Sequence, residues 1–175
     1  MPTSPLRDPA DLHGLLNYRL TRLLSASSVP VIRLCEGGHG VSRREWRLIA
    51  LLALQGEMSP SALADEADLD RARTSRAITQ LAAKRLVERR ALPGDRRQAR
   101  VRLSDEGRRL YDALLPQVAA LNRALVSVLD DAELAVLDDL LARLSAQARR
   151  LRDAPSGARA DRHRGGSRRH WDDED

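Results

Sequence analysis

The period of the apolar pattern changes in one stretch of this chain, and that change limits the folds open to it. From Gln98 to Leu103, the residues Ala99, Val101 and Leu103 alternate with Gln98, Arg100 and Arg102, the two-residue repeat of a half-buried strand. A second strand-length run, Leu86 to Ala91, precedes it, and Pro93-Gly94-Asp95 lies between the two as a turn. The other periodic segments repeat at helical spacing. A hairpin set among helices predicts a mainly α fold, with the hairpin burying one face and turning an arginine-bearing face to solvent.

The helices before the hairpin carry start and stop signals. Asp8-Pro9 reads as a cap and first helical residue, and Leu12, Leu15, Leu16, Leu20, Leu23 and Leu24 form one broad apolar face. Pro30 is expected to interrupt that helix, and Gly37-Gly38-His39-Gly40 to end the short apolar piece that follows. Ser42 to Glu45 fits a capping box opening a second helix, with Trp46, Ile49, Leu51, Leu52 and Leu54 on its buried face and Gly56 as its stop. Ser59-Pro60 opens a short third helix. Asp68-Leu69-Asp70 makes a tight turn, and Asp70 caps a fourth helix from Arg71 to about Lys84.

Two helices joined by so short a turn form a helix-turn-helix. On the second of them Thr74, Ala77, Ile78 and Leu81 share one stripe, which leaves Arg71, Arg73, Ser75, Arg76, Thr79 and Gln80 facing outward. Side chains of these kinds hydrogen-bond to base edges and phosphates, and no acid stands among them. A helix shaped only for solubility would carry glutamate with its arginine at four-residue spacing. The amides where the third helix starts, from Ser59 through Ser61 to Ala62, are placed to hold a phosphate. A hairpin directly after a recognition helix is a wing, and its tip can reach the minor groove, where an inserted arginine is favoured.

Beyond the hairpin, Ser104 followed by Asp105 and Glu106 marks a helix start. Leucines recur at 110, 114, 115, 121 and 125, and Pro116 predicts a bend or restart near 112–116. Asp130 to Glu133 is a second capping box, opening a last helix through Leu134, Leu137, Leu140, Leu141, Leu144 and Leu151. The N-terminal helix and the two C-terminal ones together carry more apolar surface than a small winged helix could cover, so a second copy of the chain is expected to cover it. Residues 153–175 have almost no apolar content and are expected to be disordered. The organisation is thus one domain over 8–152, with a winged-helix lobe at 42–109 and a helical dimerisation region formed by 8–36 and 110–152.

Charge is distributed to match. Residues 71–109 hold 13 basic and 4 acidic side chains, net +9, while the whole chain is only +5. A cationic block in an otherwise near-neutral chain is the footprint of a surface that meets a polyanion. A rival reading is a protein-interaction module that uses the winged-helix surface to bind an acidic protein partner. Catalysis has no visible seat, since neither a glycine-rich phosphate loop nor a Ser/His/Asp arrangement stands out, and no cofactor is expected. Cys35, the single cysteine, excludes an internal disulfide, argues against a cysteine-based metal site and is expected to be buried and inert. His163 and His170 lack a ligand pattern, so no metal is expected. No apolar run reaches the length of a membrane span, and a reducing cytoplasm is the expected compartment.

These features, in this order, resemble the MarR family of winged-helix regulators. The resemblance runs from about Leu12 to Leu151 and rests on "SALADEADLDR" for the helix-turn-helix, "LVERR" entering the wing, "DRR" at its tip and "VRLSDEGRRL" leaving it. It implies a homodimer with interlocked terminal helices, binding a pseudo-palindromic double-stranded DNA operator, most often as a repressor released by a small aromatic or phenolic acid. It also implies that Asp95 orients Arg97 at the minor groove, with Arg96 between them. Tyr18 and Trp46 would line the ligand cleft, with His13 and Arg47 neutralising a carboxylate and Tyr111 as a further aromatic. Arg85 stands where the family usually has glycine, and a left-handed backbone there costs a non-glycine residue on the order of 1 kcal/mol.

Overall fold

The computed structural model describes residues 4–92 and 95–154, with side chains at 91–98 outside that description. The expected turn at Pro93-Gly94 and the expected disorder from 155 onward lie outside the described residues. The chain divides into two compact units, Met1–Ser127 and Val128–Asp175.

In the first unit, α1 spans Leu16–Ile32, α2 Arg43–Gln55, α3 Pro60–Glu66 and α4 Arg71–Ala83; strands β1 (Val87–Leu92) and β2 (Asp95–Leu103) follow, then α5 (Asp105–Val126). The expected caps form. Ser42 and Glu45 exchange both bonds of a capping box, while Ser59, Asp70 and Ser104 accept from Ala62, Arg73 and Gly107 amides. Each satisfies an amide the helix itself leaves unpaired. Gly56 ends α2 at φ 78°, a conformation glycine adopts freely.

Three expectations about helix ends are corrected. Asp8 does not cap α1; Asp11 instead caps a single tight turn at Leu12–Gly14, and α1 begins at Leu16. Gly14 permits this because a Cβ there would stand 2.8 Å from that of Pro9. Pro30 does not interrupt α1, which runs through it to Ile32 and widens into a π-type turn at Arg33–Gly38. A proline removes one N–H bond, here the one to Ala26 O, and the other bonds of the helix hold; the wider turn closes separately, with Cys35 O accepting from Val41 N at 3.0 Å. Pro116 causes no restart either: α5 is continuous, and the Gln117 side-chain amide donates to Ala113 O at 3.0 Å beside the gap.

The core gathers Leu48, Ile49 and Leu52 of α2, Leu63 of α3, Ile78 and Leu81 of α4, Val101 of β2 and Leu114 of α5, all at most 1% exposed. β1 and β2 pair antiparallel, Val87 opposite Leu103 and Arg89 opposite Val101. Met58 adds a short third rung on the far edge of β2, exchanging both backbone bonds with Val101 at 2.8 and 2.9 Å. The hairpin root is fixed to α5, where a Cβ on Gly107 would meet Leu86 O at 2.0 Å, so only glycine allows the approach. The second unit contains α6 (Asp131–Asp153), opened by the expected Asp130–Glu133 capping box. None of its described side chains is buried within the chain.

Candidate nucleic-acid interface

The α4 face read from the sequence is present. Thr74, Ala77, Ile78 and Leu81 are buried, and Arg71, Arg73, Ser75, Arg76, Thr79 and Gln80 are exposed. Burial of the first set by α2, α3 and the hairpin fixes the rotation of the helix, so the second set has no other direction to face. The set is not uniform. Arg73 leans back on its own cap, Nε 3.0 Å from Asp70 Oδ2, whereas Arg71 and Arg76 make no ion pair among the described residues. Thr79 Oγ1 donates to Ser75 O at 3.0 Å and accepts from Arg89 Nη2 at 2.7 Å, leaving little of its hydrogen-bonding capacity for a base.

Arg89 is not among the residues expected at the interface. It ties β1 to α4 and so sets the angle between hairpin and recognition helix. The signal was in the alternation: Arg89 shares a strand face with Val87, which is buried, and so had to turn toward the helix. Ser59, Ser61, Arg71 and Ser75 come together around a cleft of about 550 Å³ between α3, α4 and β2, with Ala99 and Arg100 on its far wall. The side chains of Asp95, Arg96 and Arg97 lie outside the described residues.

Beneath this surface, α2 and α4 are locked by a second group without a sequence pattern. Lys84 Nζ donates to Glu45 Oε1 at 2.8 Å, Glu45 Oε2 at 2.9 Å and Gly40 O at 2.9 Å. Burial pushes the Glu45 carboxyl upward, but the Lys84 bond and the amide and hydroxyl of Ser42 outweigh it and hold the group below its usual value. The signal for Lys84 was its rarity, since it is the single lysine in a chain with 30 basic residues.

The five expected ligand residues form no single site. His13 and Tyr18 meet edge to face at 5.4 Å, while Trp46 stacks on Tyr111 at 5.7 Å with Arg108 over the tyrosine ring. Arg47 donates to Ala67 O at 2.9 Å, bracing the helix-turn-helix. Trp46 is buried against Tyr111, which leaves it a packing partner. An apolar cleft of about 570 Å³ instead runs between α1 and α5, walled by Leu23, Val31, Leu121 and Leu125. Arg43 is the one charged residue lining it, and it donates to the Ser28 hydroxyl. Cys35 is fully buried, and burial, with Glu36 nearby, pushes its thiol up and away from the reactive thiolate. Among the described residues no cluster could hold a metal, and no helix is long and apolar enough to cross a membrane.

Known proteins share this arrangement. A family model described as MarR family matches residues 39–98, which hold the helix-turn-helix and most of the hairpin. The chain is 31% identical over 105 residues to the HTH-type transcriptional regulator FarR of Neisseria gonorrhoeae, covering 60% of this chain and 72% of that protein. It is likewise 31% identical over 109 residues to the uncharacterized HTH-type transcriptional regulator YdgJ of Bacillus subtilis, spanning 62% of this chain and 66% of that one. Among solved structures, NadR in complex with 4-hydroxyphenylacetate superposes with a TM-score of 0.65 at 28% identity, over 82% of this chain and 97% of NadR. The two relatives in sequence are regulators of transcription rather than enzymes, and with the helix-turn-helix, the hairpin and its rung at Met58 in place, the chain belongs to the MarR family.

Proposed function

We propose that the protein is a dimeric repressor that binds a pseudo-palindromic operator in double-stranded DNA and leaves it when a small aromatic or phenolic acid binds. The observation that carries this reading is the outward face of α4, which presents Arg71, Ser75, Arg76 and Gln80 without an acid and stands beside a hairpin in a block of net charge +9. In this reading α4 enters the major groove, Arg76 contacts a base edge, and Asp95, Arg96 and Arg97 act at the minor groove. Two such lobes in a homodimer contact half-sites roughly one helical turn apart. The cytoplasm is the compartment that gives such a protein its DNA.

For the effector, the α1–α5 cleft supports the reading better than the aromatic residues do. It offers an apolar slot with one guanidinium in its lining, the pairing that suits a ring bearing a carboxylate. The NadR complex with 4-hydroxyphenylacetate supports the same ligand class. The test is retardation of a fragment from upstream of the protein's own coding sequence against random duplex, repeated with benzoic, salicylic and 4-hydroxyphenylacetic acids. Arg76→Ala is expected to cost about 1 to 3 kcal/mol on the operator and to blur preference at one base position. Equal loss on both DNAs would demote Arg76 to a phosphate contact. Full retention of operator by the wild-type protein with every acid would remove the release mechanism.

A further inference from the structure

Two neighbouring rungs of the hairpin are charged, and one of them is unbalanced. The register places Glu88 opposite Arg102 and Arg90 opposite Arg100. Residues two apart on a strand share a face, so both rungs lie on the same side of the hairpin. On the first rung Arg102 donates through Nε and Nη2 to Glu88 Oε2, at 2.9 and 2.6 Å. On the second, two arginines spring from directly opposed positions, an arrangement that destabilises an antiparallel ladder. Among the described residues neither of them meets a carboxylate. Arg100, half-buried, lines the 550 Å³ cleft that also holds Arg71, Ser61 and Ser75, and no acidic residue lines that cleft.

We propose that the Arg90–Arg100 rung and Arg71 across the cleft form a seat for one phosphate of the duplex backbone. The inference rests on the DNA-binding reading above and adds residues to it. A like-charged pair that meets no carboxylate among the described residues is unfavourable in the free protein and becomes favourable when an anion lies over it, because each guanidinium offers a fork of donors to phosphate oxygens. The position fits a backbone phosphate rather than a base. The seat opens between recognition helix and wing, and a duplex strand must pass there if the two elements enter adjacent grooves. Arg90 repels Arg100 and leaves it to the cleft, whereas Glu88 holds its own partner Arg102 on the hairpin. The contact orients the protein on DNA without reading sequence.

Arg90→Glu tests this directly, since it copies the neighbouring balanced rung and gives Arg100 a partner on the hairpin. Its melting temperature is expected to rise by about 1 to 3 °C as the repulsion becomes a pair. Its affinity for operator and for random duplex should fall together, roughly tenfold, and the slope of log K against log salt should flatten by about one contact per lobe. Arg100→Gln should show the same loss on both DNAs and the same flatter slope. Wild-type affinity and slope in Arg100→Gln, or a lowered melting temperature in Arg90→Glu, overturns the seat while leaving DNA binding itself intact. A loss confined to the operator makes Arg100 a base reader and overturns it as well. Inorganic phosphate that raises the melting temperature of the wild type but not of Arg100→Gln, with duplex binding equal in both, assigns the seat to a free anion. Failure of the wild-type protein to bind any duplex overturns the DNA reading, and the seat with it.

Discussion

At the scale of single residues, the Glu45–Lys84 pair shows what a sequence does and does not reveal. The capping box of Ser42 and Glu45 is local, spans three residues and was legible. The bond to Lys84 reaches across 39 positions and has no local pattern. Glu45 is only 3% exposed, and all three ammonium donors of Lys84 are used on Glu45 and Gly40. Lys84→Met should therefore cost about 1 to 3 kcal/mol by leaving a buried carboxylate without its cation, toward the low end because Lys84 is 40% exposed. The folded-state value of Glu45 lies below its ordinary 4.5, so its ionised form stabilises the fold fully above about pH 4.5. That contribution disappears as pH falls through the lowered value. Urea midpoints measured from pH 7 down to pH 3 should drop more steeply for wild type than for Glu45→Gln, and parallel curves would refute the assignment. Arg85 is the opposite case, a strain foreseen from the sequence and present at φ 60°. Arg85→Gly should gain on the order of 1 kcal/mol, read as a higher denaturation midpoint, because glycine adopts that backbone without the steric penalty.

At the scale of elements, α2, α3, α4 and the hairpin were legible because each has a cap, a period and a stop in its own sequence. Pro30 and Pro116 each delete one N–H donor, freeing the carbonyls of Ala26 and Asp112, yet α1 and α5 run through them because the remaining bonds of a long helix and its packed face hold the backbone. That outcome depends on neighbours and is not written in the proline itself. The third rung at Met58 was invisible for a related reason, since one residue of strand has no period. Arg89 shows how elements are held at an angle. Its bond to Thr79 joins β1 to α4 along with the backbone connection through Arg85 and Leu86, so it helps hold the hairpin and α4 at one angle. Arg89→Met should speed amide exchange in β1 about tenfold, the equivalent of one hydrogen bond to a charged group at roughly 1.5 kcal/mol, with α2 amides unchanged. Operator affinity should fall with it. Unchanged exchange in β1 would show that the backbone alone sets the angle.

At the scale of the molecule, the expected excess of apolar surface is real, and its occupant is the part that one chain's sequence leaves open. Leu20 of α1 is 41% exposed, and on α6 Leu137, Leu140, Leu141 and Leu144 are 39 to 45% exposed. Single exposed leucines are ordinary, but four on one helix at three- and four-residue spacing make a continuous stripe. Each helix has sequence enough to form, yet among the described residues no side chain of α6 is buried, and helices are stabilised in water chiefly by packing. A second copy of the chain is the occupant that the DNA reading requires, because one lobe contacts one half-site. Thermal stability should then rise with protein concentration, as it does when association and folding are linked. Leu144→Glu places a charge in the stripe and should abolish that dependence, giving a monomer by sedimentation. Its salt slope on operator DNA should fall to about half, since a monomer releases the counterions of one lobe only. A Leu144→Glu protein that stays dimeric would place the interface elsewhere, and one that becomes monomeric yet keeps the full slope would break the connection between dimer and operator.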